Sequence, residues 1–258
     1  MPEHFFVVGA QRSGTTYLHR VLDEHPGIAM ARPVWPEPKF FFDDEKYVAG
    51  VDWYEETFFA HAKPSQLRGE KSVGYLESEV AADRIAAAFP TARIVAILRN
   101  PVDRAISNYR FSVENGIETL PIDEAMTIDE THRAQRDGRW FVVNDLRIAA
   151  NPFIYRRRGR YVEDLRGYTR RFGKDRVHVM VFEDVVGSSD GVARLYRFLG
   201  VDPDFAPPTL PSVVNAASNA PTAVADSLRR HLAEHFAPSN RALADEFELD
   251  LSSWEQPG

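Results

Sequence analysis

The 258-residue sequence predicts an α/β fold, a mostly parallel central sheet flanked by helices on both faces. Three observations carry this. Short, wholly apolar runs alternate along the chain with segments of helical period. A glycine-rich loop separates the first apolar run from the first helical segment. Helix-opening residues also follow directly on a strand-like run, as in Leu98-Arg99-Asn100-Pro101.

Phe5-Phe6-Val7-Val8 reads as a buried strand, and Gly9 to Gly14 as the loop after it. Thr15 to Glu24 continues as a helix with Leu18, Val21 and Leu22 on one face, stopped by His25-Pro26-Gly27. Arg32 to Asp44 carries three prolines and reads as a loop, while Trp53, Tyr54, Phe58 and Phe59 suggest a packed aromatic cluster. Arg68 to Ser72 is a second short strand. Ser78 to Phe89 is a helix with Ala81, Ile85, Ala88 and Phe89 inward, ended by Pro90.

Arg93 to Leu98 reads as a buried strand. The helix opened by Asn100-Pro101 has Val102, Ile106, Tyr109 and Val113 as its apolar stripe, and Gly116 closes it. Ile117 to Pro152 reads as an insertion of short helices and loops, a place for substrate selection. Tyr161, Leu165, Tyr168 and Phe172 mark a helix, Val177 to Phe182 a strand, and Val192, Leu195, Tyr196 and Leu199 another helix. A proline-rich loop spans Val201 to Pro221, and two helical pieces separated near Pro238 follow. With no internal repeat and no long linker, a single domain over residues 1–258 is expected.

Hydrophobic residues make up 44% and charged residues 27%, ordinary for a globular chain. A net charge of −7 argues against general nucleic-acid binding but leaves room for a local basic pocket. Arg156-Arg157-Arg158-Gly159-Arg160 accordingly reads as solvated surface or the rim of an anionic substrate site, and both a rim role for Arg158 and a structural role for Tyr161 are left open. The absence of cysteine excludes disulfides, thiolate metal sites and a cysteine nucleophile. No run approaches the ~20 apolar residues of a membrane span. Gln11 and Arg12 follow almost at once on the short apolar run at Phe5, so no signal peptide is read and a cytoplasmic location is expected.

Gly9-Ala10-Gln11-Arg12-Ser13-Gly14-Thr15-Thr16 lies where a phosphate cradle belongs, between strand and helix. Its glycine spacing equals that of a Walker A loop, which predicts a P-loop NTPase-like, three-layer arrangement. Thr15, however, stands where an NTPase has lysine, so ATP or GTP chemistry is disfavoured. The positive charge sits instead at Arg12, which with the amides of Ser13, Gly14, Thr15 and Thr16 suits a terminal anion. The plain alternative is a glycine-rich turn with an exposed arginine.

The loop resembles the 5′-phosphosulfate-binding loop of sulfotransferases that use 3′-phosphoadenosine 5′-phosphosulfate (PAPS). It is similar in style to the Golgi-type carbohydrate and tyrosylprotein enzymes and their bacterial relatives. Many members carry lysine at the Arg12 position and the tyrosylprotein branch arginine, whose planar fork suits a pair of sulfuryl oxygens. A second stretch, Ile97 to Tyr109, also matches. In the family the residues at Arg99 and Ser107 bind the donor's 3′-phosphate, and an arginine fork with a hydroxyl suits a dianion.

Glu37-Pro38-Lys39-Phe40-Phe41-Phe42 resembles the Glu-x-x-Phe-Phe segment of heparan-type enzymes, where the glutamate is the catalytic base. A carboxylate within hydrogen-bond reach can take the acceptor's proton. Flanking Trp35 and Phe40 are expected to shield Glu37 from water. The histidines His4, His19, His25 and His61 lie outside any comparable motif and read as structural or exposed. Glu70-Lys71-Ser72 resembles the Glu-Lys-Ser/Thr segment of the same branch, which places Lys71 near the transferred group. Val213 to Ala223 occupies the place of the family's cofactor loop without its Lys/Arg-Gly pair, though Asn215, Ser218 and Asn219 offer polar groups.

The resemblance implies sulfuryl transfer from PAPS to a small-molecule, glycoside or carbohydrate acceptor, at a hydroxyl in preference to an amine, with no metal. A P-loop kinase for a small metabolite and a non-catalytic nucleotide-binding module remain as alternatives. The acceptor and the oligomeric state are left open.

Overall fold

A computed structural model describes residues 3–128, 151–210 and 224–255, together with the backbone of three short strands between 135 and 148. In chain order the elements are β1 (His4–Gly9), α1 (Thr15–Asp23), β2 (Ile28–Met30), α2 (Asp44–Tyr47), α3 (Gly50–Phe59), β3 (Leu67–Lys71), α4 (Glu79–Ala88) and β4 (Arg93–Leu98). There follow α5 (Pro101–Glu114), α6 (Ile122–Thr127), β5 (Gln135–Asp137), β6 (Trp140–Val143), β7 (Leu146–Ile148) and α7 (Tyr161–Phe172). The last are β8 (Val177–Val181), α8 (Phe182–Val185), α9 (Ser189–Leu199) and α10 (Asp226–Phe247). The chain divides into two compact units, Met1–Leu98 with Asp164–Ala216, and Arg99–Glu163 with Ala217–Gly258.

The first unit holds a five-stranded sheet of order β2-β3-β1-β4-β8 in which every pair is parallel. Both faces are covered, which is why β1 and β4 carry the continuous apolar runs Phe5-Phe6-Val7-Val8 and Ile94-Val95-Ala96-Ile97-Leu98 rather than alternating ones. Phe5, Val7, Val95, Ile97 and Met180 point to one face, against Tyr17, Leu18, Val21 and Leu22 of α1 and Val192, Leu195, Tyr196 and Leu199 of α9. Phe6 points to the other, with ring centroids 5.4 Å from Phe41 and 5.8 Å from Phe89. Helix starts follow the residues that cap them. Ser78 Oγ accepts from the Ala81 amide at 3.1 Å, and Ser188 Oγ from the Gly191 amide at 3.1 Å. At the far end of α9, Gly200 takes the left-handed conformation, φ 74°, that ends a helix.

In the second unit Val102, Ile106 and Tyr109 of α5 pack with Ile122 and Met126 of α6 and with Leu228, Leu232 and Phe236 of α10. Asn100 caps α5, its Oδ1 accepting from the Val102 amide at 3.0 Å, with Pro101 at the first helical position.

The expected α/β fold with a mostly parallel, helix-flanked sheet is the observed one, with three local differences. β2 is too short, at three residues, to leave a readable pattern. The segment expected to be only helices and loops contains α6 and an antiparallel sheet of order β5-β6-β7. The aromatic and β-branched run Trp140-Phe141-Val142-Val143 was the signal for it. The C-terminal pair of helices is one helix, α10, with Pro238 inside. Proline removes a donor and crowds the preceding turn, but Leu228, Leu232 and Phe236 before it and Leu243 after it are all buried, and their packing holds one helix across it. The loop residues Asn215, Ser218 and Asn219 lie outside the described residues. Among those described, no helix is long and apolar enough to cross a membrane.

Candidate active site

The loop between β1 and α1 is folded by its own backbone. The Ala10 amide donates to the Ile97 carbonyl at 2.8 Å, and the Ser13 amide to Ala10 at 3.3 Å. Gly14 is required twice over. Its φ is +86°, and a Cβ there would stand 2.6 Å from the Phe182 ring. α1 then starts with no side-chain cap and no acidic residue in its first turn, so its first amides and its positive dipole end are left for another acceptor. Ser13 is fully buried, and its Oγ has no hydrogen-bond partner among the described residues. A buried hydroxyl without a partner is costly. An anionic oxygen held by the loop would satisfy it, so the loop fits a phosphate or sulfate group. Arg12, partly buried with φ 68°, carries the charge of this loop.

Glu37 and Lys71, separated by 34 positions in sequence, meet directly. Lys71 Nζ lies 2.7 Å from Glu37 Oε1, and the two side chains are only 9% and 6% exposed. The Val73 amide donates to Glu37 Oε2 at 3.3 Å. Lys71 is placed by the sheet, since it closes β3 in register with Val7 of β1. The shielding of Glu37 differs from expectation in one respect. Phe40 is fully buried, but Trp35 is 80% exposed and turned to solvent. Burial of Glu37 comes instead from its packing beside the end of β3.

A network not read from the sequence holds the two segments together. Glu70 is 1% exposed, and its carboxylate accepts from Ser72 Oγ at 2.6 Å and from the Tyr54 hydroxyl at 2.7 Å. Ser72 Oγ in turn accepts from the Lys39 amide at 3.1 Å, and the Tyr75 hydroxyl from the Phe41 amide at 3.0 Å. Residues 39 and 41 are thereby tied to the end of β3, and Glu37 is carried to Lys71. Burial pushes the Glu70 carboxyl above its ordinary range, against the lowering effect of its donors.

His19, on the buried side of α1, belongs to the same neighbourhood. Burial, reinforced by the Lys71 ammonium, lowers its pKa to about 4, with Asp23 and Glu37 opposing. His178 is lowered to about 4 by burial and by Arg194, its ring 4.8 Å from that of Phe198. Each folded value lies below the unfolded one near 6.5. As pH falls below about 6.5 the unfolded chain therefore binds protons that the folded chain refuses, and stability drops until about pH 4. Glu70, raised in the folded state, acts in the opposite direction and offsets part of the loss. Urea midpoints measured from pH 7 to 4.5 should fall, by the equivalent of roughly 1–3 kcal/mol per histidine. In a His19→Gln, His178→Gln variant the slope should flatten; an unchanged slope would remove both histidines from the account.

The second unit contains the other expected site residues. Arg99 follows β4, and its carbonyl accepts from the Tyr161 hydroxyl at 2.8 Å. Tyr161 is fully buried. Ser107 is buried on α5. Arg158 is not on a rim. It is 1% exposed and donates to Asn108 Oδ1 at 2.7 Å and to the Asn151 carbonyl at 2.9 Å. Arg104, also fully buried, donates to the same Asn108 oxygen at 3.3 Å and to the Tyr155 carbonyl. Its charge hid the role of Arg158, because a run of arginines ordinarily marks exposed surface. The signals for Glu70 and Lys39 lay within the quoted motifs. His19 was legible only as the residue one helical turn after Thr15.

Comparison with known proteins gives the family. The model of the sulfotransferase domain matches residues 2–221. The human bifunctional heparan sulfate N-deacetylase/N-sulfotransferase 2 is 37% identical over 118 residues, which is 43% of this chain and 13% of that protein. The Drosophila melanogaster bifunctional heparan sulfate N-deacetylase/N-sulfotransferase is 29% identical over 218 residues, 77% of this chain and 20% of the relative. This chain thus spans a fifth or less of the length of either relative. A sulfotransferase from Alicyclobacillus acidocaldarius superimposes with a TM-score of 0.77 at 29% identity, covering 99% of each chain. The sulfotransferase domain of the Synechococcus olefin synthase shares the fold, with a TM-score of 0.52 at 17% identity. With the domain model matched over most of its length, the chain belongs to the sulfotransferase family.

Proposed function

We propose that this chain transfers a sulfuryl group from PAPS to a hydroxyl of a carbohydrate, glycoside or other small acceptor, releasing 3′-phosphoadenosine 5′-phosphate (PAP). The observation that carries this reading is the buried Glu37–Lys71 pair, 2.7 Å apart, in the same unit as the uncapped, glycine-bounded loop before α1. Glu37 takes the acceptor's proton as the acceptor oxygen bonds to sulfur. The bond from sulfur to the 5′-phosphate oxygen breaks, and that oxygen leaves with the electron pair. Arg12 and the amides of Ser13, Gly14, Thr15 and Thr16 hold the charge that grows on it. Lys71 orients Glu37 and brings positive charge to the sulfuryl oxygens. When the proton reaches Glu37, the carboxyl loses its charge and its hold on the ammonium. By analogy with phosphoryl transfer, positioning and electrostatics supply most of the rate. Arg99 and Ser107 are assigned the donor's 3′-phosphate, on the match of an arginine fork and a hydroxyl to a dianion. No step calls for a metal ion.

An amine acceptor is the second reading, favoured by the N-sulfotransferase relatives. Glu37 would serve it equally, taking a proton from nitrogen. Titration calorimetry without magnesium tests the donor. PAP should bind at least about tenfold more tightly than ATP, the worth of one charge-assisted contact. Equal affinities would overturn the assignment and return the kinase reading.

A further inference from the structure

Three lysines surround the Glu37 segment, and two of them are engaged. Lys71 Nζ pairs with Glu37 Oε1 at 2.7 Å, and Lys46 Nζ donates to the Pro38 carbonyl at 2.7 Å. The ammonium of Lys39 has no hydrogen bond and no ion pair among the described residues. Its backbone, by contrast, is held tightly. The Lys39 amide donates to Ser72 Oγ at 3.1 Å, and its carbonyl accepts from the Phe42 amide at 3.1 Å and the Asp43 amide at 3.0 Å. A fixed backbone with an uncommitted, partly buried charge is the arrangement of a group that waits for a ligand.

We propose that Lys39 binds a negatively charged substituent of the acceptor, a carboxylate or sulfate ester close to the atom that receives the sulfuryl group. The proposal rests on the sulfotransferase reading above and extends it to the acceptor's chemical class. Lys39 stands two residues after Glu37, the base in the reading above, and within electrostatic reach of both Glu37 and Lys71. The charges of Glu37, Lys46 and Lys71 act on it. Burial, with Lys46 and Lys71 as like charges, makes its ammonium easier to deprotonate, and Glu37 only partly compensates. An acceptor anion supplies the missing counter-charge. Val34 and the strongly exposed Trp35, on the same segment, offer an apolar face for the ring that bears it.

The test uses matched acceptors, p-nitrophenyl glucuronide and p-nitrophenyl glucoside, with wild type, Lys39→Met and Lys39→Arg. Wild type should favour the glucuronide, in turnover or in calorimetric binding to the PAP-loaded protein. Lys39→Met should raise the glucuronide KM or Kd about tenfold, while the glucoside and PAPS values stay within about twofold. Lys39→Arg should restore most of the preference. A wild type that prefers the glucoside or neither acceptor, an equal loss for both, or a higher PAPS KM would each overturn the assignment. Absence of PAP binding to wild type would instead sink the sulfotransferase reading on which it rests.

Discussion

Glu37→Gln is expected to lower turnover by roughly 10²–10⁴-fold, the range for loss of a general base, with PAP affinity unchanged within about threefold. Glutamine keeps one oxygen, which can accept from Lys71 as Glu37 Oε1 does at 2.7 Å, while its NH2 takes the place of Oε2 and gives up only the long 3.3 Å contact from the Val73 amide. It cannot accept a proton. The fold should therefore survive, and the loss should appear in kcat. Glu37→Ala is the harsher case. It leaves the buried Lys71 ammonium uncompensated, which typically costs about 3–5 kcal/mol, and its thermal midpoint should fall below that of Glu37→Gln. Single-turnover rates with saturating PAPS, alongside PAP calorimetry, check both variants. Turnover of Glu37→Gln within tenfold of wild type would place the base elsewhere, with His19 next in line.

The second large effect concerns the nucleotide. Arg99→Ala should raise the PAPS KM by about ten- to a hundredfold, the loss of a charge-assisted contact to a phosphate, and change kcat less. The comparison with adenosine 5′-phosphosulfate, which lacks the 3′-phosphate, makes the test specific. Wild type should prefer PAPS strongly, and Arg99→Ala should lose most of that preference. Two local contacts survive the substitution. Tyr161 donates to the backbone carbonyl of Arg99 and Asn100 caps α5, and neither contact involves the Arg99 side chain. An unchanged PAPS KM, or an equal rise for both donors, would remove Arg99 from the 3′-phosphate.

The two units differ in how well the chain announced them. The strands β1 and β4 are covered on both faces, so each stands out as an uninterrupted apolar run, and β8 as one broken only by His178. The caps at Asn100, Ser78 and Ser188 act within three residues and are legible for that reason. Gly14 belongs with them, although the reason for it, the approach of Phe182, comes from far along the chain. The sheet of β5, β6 and β7 was missed because its strands are three or four residues long and lie inside a segment without a clear period.

For the site the division is sharper. Motifs at Gly9 to Thr16, Glu37, Lys71 and Arg99 were visible one at a time, because each is a short string of residues with a chemical purpose. Their joint geometry was not. That Glu37 meets Lys71 follows from the register that sets Lys71 opposite Val7 and from the bonds of Ser72 and Tyr75 to residues 39 and 41, with Glu70 holding Ser72 in place. The exposure of Trp35, the burial of Arg158 and the uncommitted ammonium of Lys39 have the same origin. Residue type and local spacing specify backbone conformation and the menu of chemistry. Which charges end up buried, paired or open depends on contacts between residues distant in sequence, and those exist only once the sheet is assembled.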